Sequence, residues 1–187
     1  MKKKLRQSTL NSEKKLKEQA VSVLWAPWRM EYLKPVQKTP GVKCVFCHIL
    51  KTKRDRENLI VARGMTSYLV LNKYPYNNGH CMVVLNRHCA HFHDLKSNEL
   101  LEVMELLQKG TQVLRSLYHP DGFNLGMNIG RAGGAGIVDH LHFHIVPRWY
   151  GDTNFLPLLA TTKSMPQHLM DSYDHIKEEF HKRGARS

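Results

Sequence analysis

Residues 139–149 read Asp139-His140-Leu141-His142-Phe143-His144-Ile145-Val146-Pro147-Arg148-Trp149, with histidines at alternate positions and apolar residues between them. In an extended strand the side chains at i, i+2 and i+4 share a face. The spacing therefore predicts a strand with His140, His142 and His144 on one side. Leu141, Phe143 and Ile145 then point the other way, into a core. Pro147 stops the strand, because it cannot donate to a ladder. Just upstream, Gly130-Arg131-Ala132-Gly133-Gly134-Ala135-Gly136 carries four glycines in seven residues. Such a loop lets backbone N–H groups approach an anion without side-chain obstruction.

Three chemistries compete for the histidine row. A half-buried strand normally uses Thr, Ser or charged residues on its wet face, so histidine by accident fits poorly. His-x-His on a strand can present two imidazoles to zinc. The third is a histidine nucleophile. Neutral imidazole, with a pKa of about 6.5, attacks phosphorus without first losing a proton.

His140 to Val146, written His-φ-His-φ-His-φ-φ with φ apolar, resembles the signature of the histidine-triad (HIT) family of nucleotide hydrolases and transferases. The resemblance runs from about Trp25 to about Met170. The stretches "LWAPWRMEYL", "LNKYPYNNGH", "HLHFHIVPRW" and "GDTNF" are similar to the branch containing diadenosine tetraphosphate phosphorylases. What it implies is an α+β, HIT-like fold: a five-stranded antiparallel meander with a long packed helix and a C-terminal helix. Residues 1–24 are expected to form a basic extension, and residues 25–187 a single HIT domain.

The 187 residues suit one domain with a sizeable core. A hydrophobic content of 42% and a charged content of 24% are ordinary for a globular protein. No apolar run is long enough to span a membrane, and the Lys-rich start lacks the apolar stretch of a secretory signal. Cysteines at 44, 47, 81 and 89 do not make a dense disulfide framework, so a reducing cytoplasm is expected. The net charge of +12 attracts polyanions, be they nucleic acid, a membrane surface or a polyphosphate substrate, but a solvated basic tail that aids solubility is the favoured reading. No nucleic-acid-binding motif accompanies the charge, and nucleic acid is not the expected partner.

Along the chain, a helix is expected from Ser12, followed by an aromatic strap at 25–33. Cys44-Val45-Phe46-Cys47-His48-Ile49 reads as a helical turn. Its Cys-x-x-Cys is half of a zinc site or a pair of buried apolar cysteines. Residues 58–62, 67–72 and 80–85 read as strands. Ser97 is expected to cap a helix from Asn98 to about Leu117, with Leu100, Leu101, Met104, Leu107 and Leu114 on its buried stripe. A fourth strand is expected over Phe123–Ile129, and a last helix from Ser164-Met165-Pro166 to about Lys182.

The resemblance also assigns roles. His142 becomes the nucleophile on an α-phosphorus, His144 the group that bonds phosphate or the leaving oxygen, and His140 an orienting residue. His88 and His140 complete a zinc site with Cys44 and Cys47. Phe46 and Ile49 sandwich a base, or are plain core. Asn72 holds ribose hydroxyls, or caps a turn. Asn128 bonds phosphate, or pairs with backbone. Backbone N–H groups at Ala135 and Gly136 serve the phosphate site, with Arg131 and Arg148 as clamps or merely solvated. Trp149 walls an acceptor pocket, or packs. The implied reaction is phosphorolysis of a dinucleoside polyphosphate, diadenosine tetraphosphate plus inorganic phosphate giving ATP and ADP, in a homodimer. Hydrolysis of such compounds or of adenosine phosphoramidates is one alternative. A nucleic-acid-associated zinc module that binds nucleotide without turnover is another.

Overall fold

The computed structural model describes residues 41–152 and 167–184. The elements are α1 (Val45–Thr52), β1 (Ile60–Arg63), β2 (Ser67–Leu71), β3 (Cys81–Leu85), α2 (Ser97–Tyr118), β4 (Gly122–Gly126), β5 (His142–Arg148) and α3 (Leu169–Gly184). The expectations for the basic extension, the helix from Ser12, the strap and the stretch 164–166 lie outside the described residues.

The five strands form one antiparallel sheet, so the α+β class holds. Their order, β1-β2-β3-β5-β4, departs from a simple meander. The histidine strand lies between β3 and β4 rather than at the edge. Its backbone is paired on both sides, and β3, buried throughout, flanks it on the inner side. β4, with two glycines and mostly exposed side chains, is suited to the edge.

Register settles the two faces. Leu69 pairs with Val83 and Val83 with Phe143, so these three share the face covered by α2 and α3. Tyr68 pairs with Val84 and Val84 with His142, which places them on the opposite face. There the Tyr68 hydroxyl donates to the Phe46 carbonyl at 3.1 Å and ties down α1. α2 approaches β5 closely, since a Cβ on Gly110 would sit 2.7 Å from Ile145 Cδ1. Truncating fully buried Ile145 to Ala would cost about 2–5 kcal/mol.

Several boundaries differ from expectation. α2 buries Val103, Leu107, Gly110, Val113 and Leu114, while Leu100, Leu101 and Met104 are exposed. Apolar residues line two stripes of this helix, and tertiary contacts choose between them. Glu102 accepts from the Met65 and Thr66 N–H groups at 2.6 Å each, and Gly110 fits flat on the sheet. Ser97 is the first residue of α2 and not its cap. Glu99 instead accepts the Lys96 N–H at 2.8 Å. β4 stops at Gly126, opposite His144, so Met127–Ile129 leave the ladder. α3 begins at Leu169, where His168 Nδ1 accepts the Met170 N–H at 3.3 Å.

Candidate active site

β5 begins at His142, so His140 lies just before the strand rather than within it. Pro147 does not stop the strand, which runs on to Arg148 paired with β4 alone, the β3 pairing having ended at Ile145. The Leu141 N–H is taken by the Cys89 carbonyl at 2.8 Å, outside the ladder. His142 Nδ1 lies 2.9 Å from the His140 carbonyl. A carbonyl only accepts, so His142 carries its proton on Nδ1 and keeps Nε2 as a lone-pair nucleophile. His140 thus orients His142 through its backbone. Burial lowers the pKa of both rings, that of His140 to about 4, so both are neutral at pH 7.

The ring of His140 works elsewhere. Its Nε2–H donates to the Leu85 carbonyl at 3.0 Å, which leaves Nδ1 unprotonated and facing two cysteines. Cys44 Sγ is 3.3 Å and Cys47 Sγ 3.6 Å from that Nδ1, and Cys47 Sγ is 3.5 Å from His88 Nδ1. The four ligand atoms lie within 4.8 Å of one another. A tetrahedral zinc with two sulfurs and two nitrogens has ligand–ligand edges of about 3.3–3.8 Å. The three Sγ–Nδ1 distances fall in that range, and the Leu85 carbonyl fixes the required tautomer.

A fourth histidine completes the arrangement. The Tyr76 N–H donates to His80 Nδ1 at 3.0 Å, so neutral His80 carries its proton on Nε2. That Nε2 is 2.9 Å from His144 Nδ1, which must accept. His144 in turn carries its proton on Nε2. The Tyr76 ring stacks on His144 at 5.8 Å between centroids. One lone-pair nitrogen on His142 and one N–H on His144 therefore stand two residues apart on one face, a nucleophile beside a donor.

The other expected site residues divide. Phe46 is brought in, with its ring 5.1 Å from that of His142 and 5.4 Å from that of His140. Ile49 packs half-buried on the same helix. Asn72 directly follows β2, and its N–H donates to the His80 carbonyl at 2.8 Å. Its Oδ1 accepts the Tyr74 N–H at 2.9 Å, a turn-capping bond. Asn128 Nδ2 lies 3.4 Å from the Gly134 carbonyl and braces the glycine loop. Gly134 there has φ +83°, which a side chain would strain. The Ala135 N–H donates to the Gly130 carbonyl at 3.1 Å, so it is engaged within the loop that continues to Gly136. Trp149 is not brought to the histidines. By the two-residue period it falls on the helix face, where its indole N–H donates to the Tyr118 carbonyl at 3.4 Å. Arg131 is exposed on the loop, and the Arg148 fork is occupied by Asp152 and Asn124.

Residues 53–150 match the model of the HIT domain. The chain is 43% identical over 163 residues to the AP-4-A phosphorylase of Mycobacterium tuberculosis, covering 84% of this chain and 83% of that one. The chain belongs to the HIT family. Another HIT relative, the adenosine 5'-monophosphoramidase of Schizosaccharomyces pombe, is 31% identical over 57% of this chain and 75% of its own. The HIT fold recurs in a Zn-bound histidine triad family protein from Mycobacterium smegmatis. That match has a TM-score of 0.63 and 22% identity, over 78% of this chain and 98% of that one.

Within this HIT domain, sequence reasoning passed over His80, read there only as the first residue of a strand. Its signal was a polar residue at the start of an otherwise apolar run, Cys81-Met82-Val83-Val84-Leu85. Nothing local indicates that the ring meets His144, 64 residues away.

Proposed function

We propose that this HIT protein is a nucleotidyl-transferring enzyme that cleaves diadenosine tetraphosphate with inorganic phosphate to give ATP and ADP. The observation that carries the reading is the tautomer of His142, whose Nε2 lone pair stands beside the His144 N–H. The likeness to an AP-4-A phosphorylase over most of both chains supplies the substrate. Nε2 of His142 attacks an α-phosphorus, the bond to the bridging oxygen breaks, and ATP leaves. His144 Nε2–H stabilises the charge that develops on oxygen. Phosphate then attacks the adenylyl-imidazole, the P–N bond breaks, and ADP departs with neutral His142 restored.

Water in place of phosphate would give AMP. The Trp149 indole N–H and the Ala135 N–H favour this second reading, a hydrolase, because both are engaged elsewhere, with the Tyr118 and Gly130 carbonyls. Incubating enzyme and diadenosine tetraphosphate with millimolar phosphate decides between them. ATP plus ADP, dependent on phosphate, supports the phosphorylase. ATP plus AMP, indifferent to phosphate, makes it a hydrolase.

Cys44, Cys47, His88 and His140 would hold one zinc, a closed four-ligand set suited to structure rather than to activating water. Such an ion would tie α1 to the end of β3 and to the residues before β5. Free thiols at all four cysteines suit the reducing cytoplasm.

A homodimer also belongs to this reading. β4 is an edge strand, and Leu125 and Ile129 on and beyond it are each 53% exposed. Leu101 and Met104, each 61% exposed, share a helical stripe with Arg115, whose guanidinium lies over the Phe123 ring of β4. The apolar patch thus faces the open edge, and a second copy would cover both. Sedimentation equilibrium should give twice the chain mass, and Met104→Glu should halve it. A monomeric wild type removes this part of the reading.

A further inference from the structure

The end of the histidine strand is clamped to the turn that sets the tautomer of His80. Asn77, in that turn, is 7% exposed, and its amide nitrogen serves two acceptors. It lies 3.0 Å from the Pro147 carbonyl at the end of β5 and 2.7 Å from Asp152 Oδ2. An amide NH₂ has two hydrogens, and two acceptors use both. Asp152 Oδ2 also accepts from Arg148 Nε at 2.5 Å and from the Trp149 N–H at 3.3 Å. Its Oδ1 accepts from Arg148 Nη2 at 2.9 Å. The Asp152 side chain is 10% exposed, and the Arg148 guanidinium beside it holds its carboxyl well below the usual carboxylate range. Arg148 Nη1 meets Asn124 Oδ1 of β4 at 2.8 Å. The group therefore joins three segments: the 75–79 turn, the end of β5, and β4.

We propose that Asn77, Asp152 and Arg148 act as a positioning latch for the His80–His144 pair. The coupling is short. Asn77 follows Tyr76, whose N–H reaches His80 Nδ1, and the Asn77 carbonyl accepts the His80 N–H at 3.1 Å. Holding Asn77 fixes the Tyr76 N–H, that N–H sets the proton of His80 on Nε2, and His144 is left with its own proton on Nε2. With the latch released, the turn relaxes, His80 samples both tautomers, and His144 presents a lone pair part of the time. None of the three residues touches a reacting atom. The kinetic consequence rests on His142 and His144 doing the chemistry given above, but the tautomer consequence does not.

The experiment uses the full chain and the variants Asn77→Ala, Asp152→Asn and Asp152→Glu. Asp174→Asn, which breaks the exposed ion pair with Arg56, serves as control. With diadenosine tetraphosphate, Asn77→Ala and Asp152→Asn should lower kcat on the order of 10- to 100-fold and leave KM within about twofold, as expected for misplaced groups. Asp152→Glu, which keeps the charge, should recover part of kcat, and Asp174→Asn should match wild type. In parallel, ¹⁵N spectra of the imidazoles should show one tautomer of His80 in wild type and a mixture in the milder variant Asp152→Asn. A single unchanged tautomer in Asp152→Asn overturns the latch, whatever the kinetics. So does unchanged kcat in folded Asn77→Ala. The spectra need no substrate. A wild type inactive on diadenosine tetraphosphate would defeat the proposed function and leave the latch to be judged by tautomer alone.

Discussion

Nε2 of His80 lies 2.9 Å from Nδ1 of His144, and the direction of that bond is set from outside the pair by the Tyr76 N–H. His144 therefore acts as a donor on its far nitrogen. Replacing His80 by Phe keeps a ring in the space but removes the donor, so His144 can place its proton on either nitrogen. We expect kcat to fall on the order of 100-fold, the scale of a mispositioned acid–base group, with KM little changed. Steady-state kinetics on purified His80→Phe checks this, and wild-type turnover would refute the role.

His142→Ala removes the group placed as nucleophile. Turnover should fall by several orders of magnitude, while nucleotide binding measured by calorimetry stays close to wild type. Rapid acid quench is unsuitable for a phosphoramidate, which acid cleaves. Denaturation in alkali followed by peptide mass analysis should instead find the nucleotidyl adduct on His142 of wild type, and none in the variant.

The cysteine–histidine cluster makes a stoichiometric statement. Protein purified without chelator should hold about one zinc per chain, and Cys47→Ser should hold far less. Because the ligands come from α1, the segment after β3 and the segment before β5, metal loss should lower the melting temperature as well. Equal melting of chelated and untreated protein would exclude a structural ion.

The buried carboxylate of Glu99 yields a pH prediction. Arg87 bonds it at 2.6 and 2.8 Å and the Lys96 N–H at 2.8 Å, which hold its pKa at about 2 against an ordinary 4.5. The folded value lies below the unfolded one, so this contribution is complete above about pH 4.5 and is lost as pH falls toward 2. Glu99→Gln should be less stable at pH 7 by about 1.5–3 kcal/mol, the scale of hydrogen bonds to a charged group. It should also lose less stability than wild type between pH 4.5 and pH 2. Urea titrations at four or five pH values across that window measure both effects. Parallel pH profiles for the two proteins would contradict the assignment.

Local sequence determined a good deal of this protein. Alternation placed His142 and His144 on one face and Phe143 and Ile145 on the other, because the side-chain period of a strand is set by covalent geometry alone. The same reasoning located β1, β2, β3 and α2 to within a few residues, and the glycine-rich loop before the histidines. Family resemblance supplied the cysteine and histidine ligands that the structure brings together. Tertiary structure decided what depends on pairing between distant segments. β5 lies between β3 and β4 because its two buried edges need partners. α2 presents Val103 and Val113 to the sheet rather than Leu101 and Met104, since Gly110 and Glu102 set its rotation. Trp149 went to Tyr118 and not to the histidines. Above all, His80 became part of the site only when antiparallel register set Cys81 opposite Ile145 and Met82 opposite His144, which brought the residue before β3 alongside. A ring's neighbours in sequence govern which way it points; its tautomer is set by whichever donors and acceptors the folded chain brings against it.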